Sequence, residues 1–257
     1  MIAPVGFEID RVVKPAKGIK DKKTGGWIIQ KAEKVYLLVH SDPKKDKAKQ
    51  YAAEIIKQLT ASKIETKRVH VDWDDIEKIT KTARNLILKE LKDNPKNQIS
   101  INLASGSKNH AIGLDRACMT LRERGNLIPF YSEAIKWEAH NLPPLTQLTT
   151  GVKKIKFVET HRIIVPEQIL ITALGIIHNH SKKIPYHPEL IGITKQDLAK
   201  KMNMNLVQLQ RNITQKLEEP WQAIFTEHEG RKYYVGLTKE GEYLRYILEN
   251  PETSGSS

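Results

Sequence analysis

The chain has a single cysteine, Cys118, among its 257 residues. One thiol excludes an internal disulfide framework and a cysteine-rich zinc site. Cys118 lies in an apolar helical pattern, where a buried thiol is expected, and this fits a reducing cytoplasm. No apolar run approaches the roughly eighteen residues of a membrane span, and the N-terminus lacks a basic-then-apolar signal sequence. These features predict a soluble protein of the cytoplasm.

Acidic residues are fewer than basic ones: 30 Asp and Glu stand against 42 Lys and Arg, which gives a formal net charge of +12. An excess of cations attracts polyanions, because each neutralised phosphate releases its counterions. A lysine-rich surface of the kind found in thermophile proteins would give the same composition. Composition does not locate the charge, so it favours a nucleic-acid partner without saying where that partner binds.

The first half of the chain alternates short apolar runs with helical patterns, which predicts an α/β domain with a mostly parallel sheet. Residues 35–39 are five consecutive apolar, β-favouring residues, as in a strand buried on both faces. Residues 17–31 are rich in lysine and glycine and are predicted to form an irregular insertion. The predicted strands are residues 2–5, 35–39, 65–71, 99–104 and 127–131. The predicted helices are residues 47–60, residues 74–91 and a helix opened by residues 105–109.

The composition changes after a break at residues 141–144. We therefore predict an α/β domain over residues 1–142, a linker or edge-strand segment over 143–165, a second domain over 166–250 and a disordered tail over 251–257. No internal repeat of fixed period is present.

Ligands of open α/β sheets bind outside the carboxyl ends of the strands, where the strand order reverses. Here those ends are the Gly6 loop and the loop from Ser105 to Lys108. The second loop lacks the spacing of a P-loop or a dinucleotide fingerprint, but it also leads a strand through small residues into a helix N-terminus. Backbone N–H groups, the helix dipole and the Lys108 charge would favour an anion there. A plain strand-to-helix turn with a solvated lysine is the alternative.

The last third of the chain is predicted to be a winged helix-turn-helix domain. Pro166 and Glu167 start a first helix, and Thr194 starts a second that ends near Asn203. A third helix follows after a tight turn. The predicted buried face of the first helix contains Ile169, Leu170, Ala173, Leu174 and Ile177. The predicted buried face of the third contains Leu206, Leu209, Ile213 and Leu217.

The third helix also carries a polar stripe, and a β-hairpin follows it. Gln, Asn and Arg side chains form paired hydrogen bonds with base edges, so the stripe suits a recognition helix in a major groove; an ordinary solvated face is the alternative. The hairpin turns at residues 228–230 and would be the wing, and a closing helix begins after Leu237. The predicted DNA-binding residues are Gln208, Arg211, Asn212 and Gln215 on the helix and Arg231 and Lys232 on the wing.

Three short motifs carry a family resemblance: residues 5–11 after the first strand, residues 35–39 as the second strand and residues 101–108 after the fourth. With the winged helix behind them, they make nearly the whole chain resemble the CARF proteins, the CRISPR-associated Rossmann-fold sensors of antiviral defence. Within these proteins, the chain resembles in particular the archaeal group with a C-terminal winged helix. This resemblance implies a Rossmann-like sheet and a homodimer that binds a cyclic oligoadenylate, with cyclic tetra-adenylate favoured.

Carried over by position, the resemblance implies a ligand site formed by Gly6, Phe7, Glu8, Ser105, Gly106, Ser107, Lys108 and Asn109. The acidic Glu8 and Asp10 depart from the usual phosphate site. Glu8 is expected either to bind an adenine amino group or to pair with Arg11.

Two functions follow from this resemblance. The first is a ligand-responsive transcription regulator, in which the messenger changes the affinity of the winged helices for duplex DNA. The second is a metal-independent ring nuclease, in which Lys108 and Ser107 assist in-line attack by a ribose 2′-hydroxyl. Related effectors carry a C-terminal RNase domain, but its Arg-x4-6-His signature is absent from the C-terminal region of this sequence. His178, His180 and His187 flank a helix end and a proline loop, and no cysteine or carboxylate completes a ligand set with them, so we expect surface histidines and no metal.

Overall fold

The computed structural model describes residues 1–124, 126–138, 146–159, 161 and 163–249. The chain divides into two compact units, Met1–Ile163 and Ile164–Ser257. The predicted break at residues 141–144 and the predicted tail at 251–257 lie outside the described residues. Within the described ranges, no helix combines the length and the hydropathy that a membrane span requires.

The N-terminal unit is a mixed α/β fold. Its strands are β1 (Ile2–Pro4), β2 (Ile19–Lys20), β3 (Trp27–Ile29), β4 (Lys34–His40), β5 (Glu65–Val71), β6 (Gln98–Asn102), β7 (Asn126–Glu133), β8 (Lys136–Trp137), β9 (Thr149–Thr150) and β10 (Lys154–Phe157). Its helices are α1 (Asp10–Ala16), α2 (Lys49–Ala61), α3 (Ile76–Asp93) and α4 (Lys108–Leu121).

Six of these strands form one sheet in the order β10-β7-β6-β1-β4-β5. Every neighbouring pair is parallel except β10 with β7. Helices cover both faces: Leu37 packs in a cluster with α1 and α2, whereas Leu38 packs in a cluster with α3 and α4. Burial on both faces explains why β4 is apolar without alternation. A mostly parallel sheet of this kind is compatible with a Rossmann-like fold.

Two segments of this unit differ from prediction. Residues 17–31 were predicted to be irregular, but β2 and β3 pair there as a hairpin, and Ile29 packs against Phe130 and Ile155. The helix α1, directly behind the first strand, was not predicted, because its seven residues are too few to show a periodic stripe. The segment after residue 149 supplies the edge strand β10, which was one of the two predicted outcomes.

The C-terminal unit combines short helices with two β-hairpins. Its elements are α5 (Gln168–His180), β11 (Lys182–Ile184), β12 (His187–Thr194), α6 (Lys195–Lys201), α7 (Leu206–Leu209), a π-helical turn (Gln210–Thr214), α8 (Gln215–Glu218), β13 (Ile224–Glu229), β14 (Lys232–Leu237) and α9 (Lys239–Leu248). The strands form one antiparallel sheet in the order β11-β12-β14-β13. Leu174, Leu198, Ile213 and Val235 lie in its core.

Some details of this unit correct the sequence prediction. Ile169 and Leu206, both predicted to be buried, are 39% and 47% exposed. The proline-containing segment near residue 185 is the turn of the β11–β12 hairpin, and neither of these strands was predicted. The second hairpin turns at residues 230–231 instead of 228–230, because Glu229 pairs with Lys232. The glycine in that turn has a φ of +58°, a conformation that L side chains rarely adopt.

Candidate functional site

The strand order reverses between β1 and β6, and the two predicted ligand loops meet at this switch point. A Cβ atom placed on Gly6 would lie 2.7 Å from the backbone nitrogen of Gly106, so the two loops are in direct contact. Gly106 has a φ of +81°, which turns the chain from β6 toward α4. Only glycine at both positions lets the loops approach this closely.

Behind these loops, Glu8 forms a buried ion pair with Arg11. Glu8 Oε1 lies 3.1 Å from Arg11 Nη1, and Ser105 Oγ donates to Glu8 Oε2 at 3.3 Å. Burial raises the pKa of the Glu8 carboxyl, and the Arg11 charge and the hydrogen bonds from Ser105 and Arg11 only partly offset this. Of the two expectations for Glu8, the pair with Arg11 is the one present. Glu8 and Ser105, predicted as ligand contacts, are both buried.

Arg11 also joins the loops to the end of β7. Its Nε donates to the carbonyl of Ser132 at 2.9 Å, and its guanidinium lies 4.9 Å from the centroid of the Tyr131 ring. The Trp137 ring is 5.8 Å away on β8 and is 66% exposed. The guanidinium paired with Glu8 therefore lies beneath the switch point, with an exposed aromatic ring beside it.

A residue far away in sequence caps the start of α1. Gln147 Oε1 accepts hydrogen bonds from the backbone nitrogens of Ile9 at 2.8 Å and Asp10 at 2.7 Å. These first-turn donors are therefore not free for an anion. Phe7 remains 36% exposed and contacts Tyr51 edge to face, with ring centroids 5.4 Å apart. Gln147 was not predicted, since nothing in the local sequence links it to the Gly6 loop.

The start of α4 is arranged differently. Ser107 is its N-cap and forms a reciprocal pair with His110: the Ser107 nitrogen donates to His110 Nδ1 at 3.1 Å, and the His110 nitrogen donates to Ser107 Oγ at 3.4 Å. Among the described residues, the backbone nitrogens of Lys108 and Asn109 have no protein acceptor, and the Lys108 side chain is exposed. Free N–H groups, a helix dipole and a cation coincide here, which is an anion-binding arrangement.

A row of aromatic rings lies behind Ser107. The ring centroids of His110 and Trp73 are 5.1 Å apart, and those of Trp73 and His40 are 5.3 Å apart. Burial, followed by the charge of His40, lowers the pKa of His110 to about 4. The side chain of Asn109, a predicted ligand contact, donates from Nδ2 to the Trp73 carbonyl at 3.0 Å. It therefore holds the loop after β5 in place.

His40, Asp72 and Asp74 place ligand atoms within 4.8 Å of one another at the ends of β4 and β5. The Asp42 nitrogen donates to His40 Nδ1 at 2.9 Å, so the neutral ring carries its proton on Nε2. A cation on Nε2 would require the opposite tautomer and the loss of this hydrogen bond. The arrangement therefore fits a histidine–carboxylate contact better than a metal centre.

In the C-terminal unit, Gln208, Arg211, Asn212 and Gln215 are all exposed. Gln208 also has a structural role, because its Oε1 accepts from the Asn205 nitrogen at 3.1 Å in the cap of α7. Arg231 and Lys232 are exposed at the tip of the second hairpin. Of the three histidines considered for a metal, His178 pairs with Glu242 at 2.9 Å, and His187 lies 3.6 Å from Glu189.

The net charge is divided unequally between the two units. Residues 1–163 contain 31 Lys and Arg against 19 Asp and Glu, which accounts for the whole excess of +12. Residues 164–257 contain 11 of each kind and are formally neutral. Overall composition therefore says nothing in favour of DNA binding by the C-terminal unit. Only the positions of individual charged residues within this unit can support DNA binding.

The fold and the site define an α/β protein with an anion-favouring helix start at the switch point of a mostly parallel sheet. A family model described as "HFX_2341_N:-like, N-terminal" matches residues 1–136. Because this match covers more than half of the chain, the chain belongs to that family. No curated protein matches the chain.

Proposed function

We propose that this protein is a ligand-responsive transcription regulator with a CARF-type sensor domain and a C-terminal winged helix-turn-helix. The observation that carries the proposal is the start of α4. There the unpaired nitrogens of Lys108 and Asn109 and the exposed Lys108 ammonium lie beside the contact between Gly6 and Gly106. This arrangement supports binding of a phosphodiester.

A cyclic oligoadenylate, with cyclic tetra-adenylate first, is the proposed ligand. Its phosphates would contact the α4 start and Lys108, and its adenines would stack on exposed aromatic rings such as Phe7 and Trp137. A ring of repeated nucleotides suits a homodimer, because each protomer can offer the same surface to one half of the ring.

The proposed output is duplex DNA binding. The order α5, α6, α7–α8, β13–β14, α9 supports a winged helix, with α7–α8 as the recognition helix and the second hairpin as the wing. The exposed Arg211, Asn212 and Gln215 would read base edges, and Arg231 and Lys232 would contact phosphates.

The ligand proposal is tested by calorimetric titration of the purified chain with cyclic tetra-adenylate, cyclic hexa-adenylate and linear tetra-adenylate. A cyclic form should bind, and Lys108→Ala should weaken it by roughly 10- to 100-fold, the value of a charge-assisted contact. Lys57→Ala, which removes an exposed lysine from α2, is the matched control and should leave affinity unchanged. Absence of binding by any cyclic oligoadenylate would refute the sensor proposal.

The DNA proposal is tested with a duplex from the promoter of the protein's own gene and a scrambled duplex of equal length. Arg211→Ala should lower the preference for the promoter sequence by about 1–3 kcal/mol. Lys239→Ala removes the same charge from the exposed start of α9 and should preserve that preference. Equal behaviour of the two variants would contradict recognition by α7–α8.

One contact favours ring cleavage as a second candidate function: Ser107 Oγ lies 2.9 Å from His110 Nδ1, next to Lys108. In this reaction the ribose 2′-hydroxyl attacks the neighbouring phosphorus and the P–O5′ bond breaks. The 2′-proton is lost and O5′ gains one, so the products are a 2′,3′-cyclic phosphate and a 5′-hydroxyl. Lys108 would stabilise the charge that develops on the phosphate. Linear products that form with the native chain but not with Lys108→Ala would establish this activity, and an intact ring after prolonged incubation would exclude it.

A further inference from the structure

A cavity of about 760 Å³ opens on the C-terminal unit, and none of the residues predicted to bind DNA is among those that line it. It lies between the end of α5, the β11–β12 hairpin and α6. Its lining includes Lys182 and Lys183 from β11 and Lys200 and Lys201 from the last turn of α6. All four lysines are exposed. We call this surface the lysine groove.

The four ammonium groups of the lysine groove are not neutralised. Throughout the described ranges, none of them lies within salt-bridge distance of a carboxylate, whereas Lys216 of the same unit pairs with Glu167 at 3.0 Å. Asp197, whose Oδ2 accepts a hydrogen bond from the Thr194 hydroxyl at 2.7 Å, also lines the groove, so its lining carries four positive charges against one negative charge. In a formally neutral unit, this concentrates positive charge on one side.

The lysine groove is continuous with the proposed recognition helix. Lys200 and Lys201 end α6 directly before the turn that leads into α7. At the other end of α6, Lys195 Nζ donates to Gln210 Oε1 at 3.0 Å and lies 5.4 Å from the centroid of the Tyr233 ring on the second hairpin. One short helix therefore connects the groove with both elements of the proposed DNA surface.

We propose that the lysine groove binds the sugar–phosphate backbone of duplex DNA beside the major groove entered by α7–α8. The β11–β12 hairpin would then act as a second phosphate clamp beside the wing, which it contacts where the Tyr186 nitrogen donates to Glu229 Oε1 at 3.2 Å. Exposed, unpaired lysines on an open groove suit a row of phosphates, because each contact needs charge but no fixed geometry. This inference rests on the proposed DNA-binding function and adds a contact surface that the sequence did not indicate.

The test compares two double variants, Lys182→Ala/Lys183→Ala and Lys200→Ala/Lys201→Ala, with the control Lys57→Ala/Lys96→Ala from the N-terminal unit. Fluorescence anisotropy measures binding of the full chain to the promoter duplex and to the scrambled duplex between 50 and 200 mM salt. Each groove pair should lower the slope of log affinity against log salt by about 2, since one phosphate contact contributes roughly 0.9. Affinity should fall equally for both sequences, and the control should keep the native slope.

The outcomes separate this inference from the proposed function. If the native chain binds no duplex, or binds single-stranded RNA in its place, both proposals fail. If Arg211→Ala alters sequence preference while both groove pairs keep the native slope, DNA recognition stands and the lysine groove is excluded. The circular dichroism spectra of the variants should match that of the native chain. A reduced slope of log affinity against log salt then reflects lost phosphate contacts and not unfolding.

Discussion

Ser107 and His110 show how one residue pair sets the chemistry of the α4 start. Because the Ser107 nitrogen donates to His110 Nδ1, the neutral ring carries its proton on Nε2, and protonation of Nδ1 would place two donors against each other. The His110 side chain is fully buried, so a positive ring would also lose its hydration. Both effects favour the neutral form, in line with the pKa of about 4.

This pair predicts a loss of stability in acid. The pKa of His110 lies below its ordinary value of 6.5, so its contribution is fully present above pH 6.5 and declines as the pH falls toward 4. Between pH 7.5 and pH 5 the free energy of unfolding should fall by about 2 kcal/mol through this residue. His110→Asn keeps an acceptor for the Ser107 nitrogen but does not titrate, so its urea-unfolding free energy should lack this decline. The same decline in both proteins would contradict the assignment.

Gly106 illustrates a second constraint at single-residue scale. It combines a positive φ with a tight surrounding, since a Cβ there would lie 2.7 Å from Pro4 Cβ. Gly25, in the β2–β3 hairpin, also has a positive φ of +70° but no neighbour within 4 Å. Substitutions at the two glycines therefore separate the free-energy cost of backbone strain from that of a steric clash.

Gly106→Ala should destabilise the protein more than Gly25→Ala does. The control carries only the backbone term, about 1 kcal/mol, whereas Gly106→Ala adds overpacking of roughly 1–3 kcal/mol. Thermal unfolding of the two variants measures the difference. Equal melting temperatures would show that the loop beside Pro4 adjusts without cost, so that packing against Pro4 would not require glycine at position 106.

Among the secondary-structure elements, the proposed recognition helix departs from a regular α-helix. The backbone nitrogen of Gln215 donates to the carbonyl of Gln210, five residues earlier, so the helix contains one extra residue in that turn. The fully buried Thr214 supports this turn: its Oγ1 lies 3.3 Å from the Gln210 carbonyl oxygen and 3.0 Å from Gln210 Oε1. The polar stripe that the sequence suggested is therefore divided by the π-helical turn.

Thr214→Val should weaken this element. The valine is nearly isosteric, but it removes the hydroxyl donor in a buried position, at a cost of about 1–2 kcal/mol. Thr172→Val is the matched control, because Thr172 makes the same hydroxyl-to-carbonyl bond to Gln168 at 3.0 Å on an exposed face of α5. Its free energy of unfolding should stay within roughly 0.5 kcal/mol of the native value. If Thr172→Val loses as much free energy of unfolding as Thr214→Val, the π-helical turn has no special role in stability.

For the whole molecule, the division of charge gives the two proposed sites different electrostatic surroundings. The N-terminal unit carries the entire net charge, so its attraction for an anionic ligand is general as well as local. The neutral C-terminal unit depends on a few exposed cations for any attraction to DNA. Single lysine and arginine substitutions should therefore change the proposed DNA affinity of this unit more than they change the ligand affinity of the N-terminal unit.

If the chain is a regulator, its two binding equilibria must be linked. Saturating cyclic tetra-adenylate should change the dissociation constant for promoter DNA by some factor, typically 5- to 150-fold, and saturating DNA should change the ligand's constant by the same factor. Anisotropy and calorimetry measure the two factors independently. A factor of one in both experiments would leave two binding sites without regulation and would contradict the proposed function.

The sequence by itself determined most of the architecture. A continuous apolar run identified β4, which is buried on both faces. Apolar periodicity identified β5, α2 and α3, because burial of one face imposes a repeat of two residues on a strand and 3.6 on a helix. Small residues and capping side chains marked the loop before α4 and the start of α6, because local hydrogen bonding fixes those turns.

Tertiary structure alone decided the contacts between distant segments. Gln147 closes α1, Arg11 reaches β7, and Trp73 packs on His110, and each partner lies far away in sequence. The β11–β12 hairpin and its lysine groove also depend on pairing with β14, which no local pattern specifies. Local propensity therefore fixed where helices and strands begin, whereas long-range packing decided which predicted ligand residues stay exposed and which, like Glu8 and Ser105, are buried.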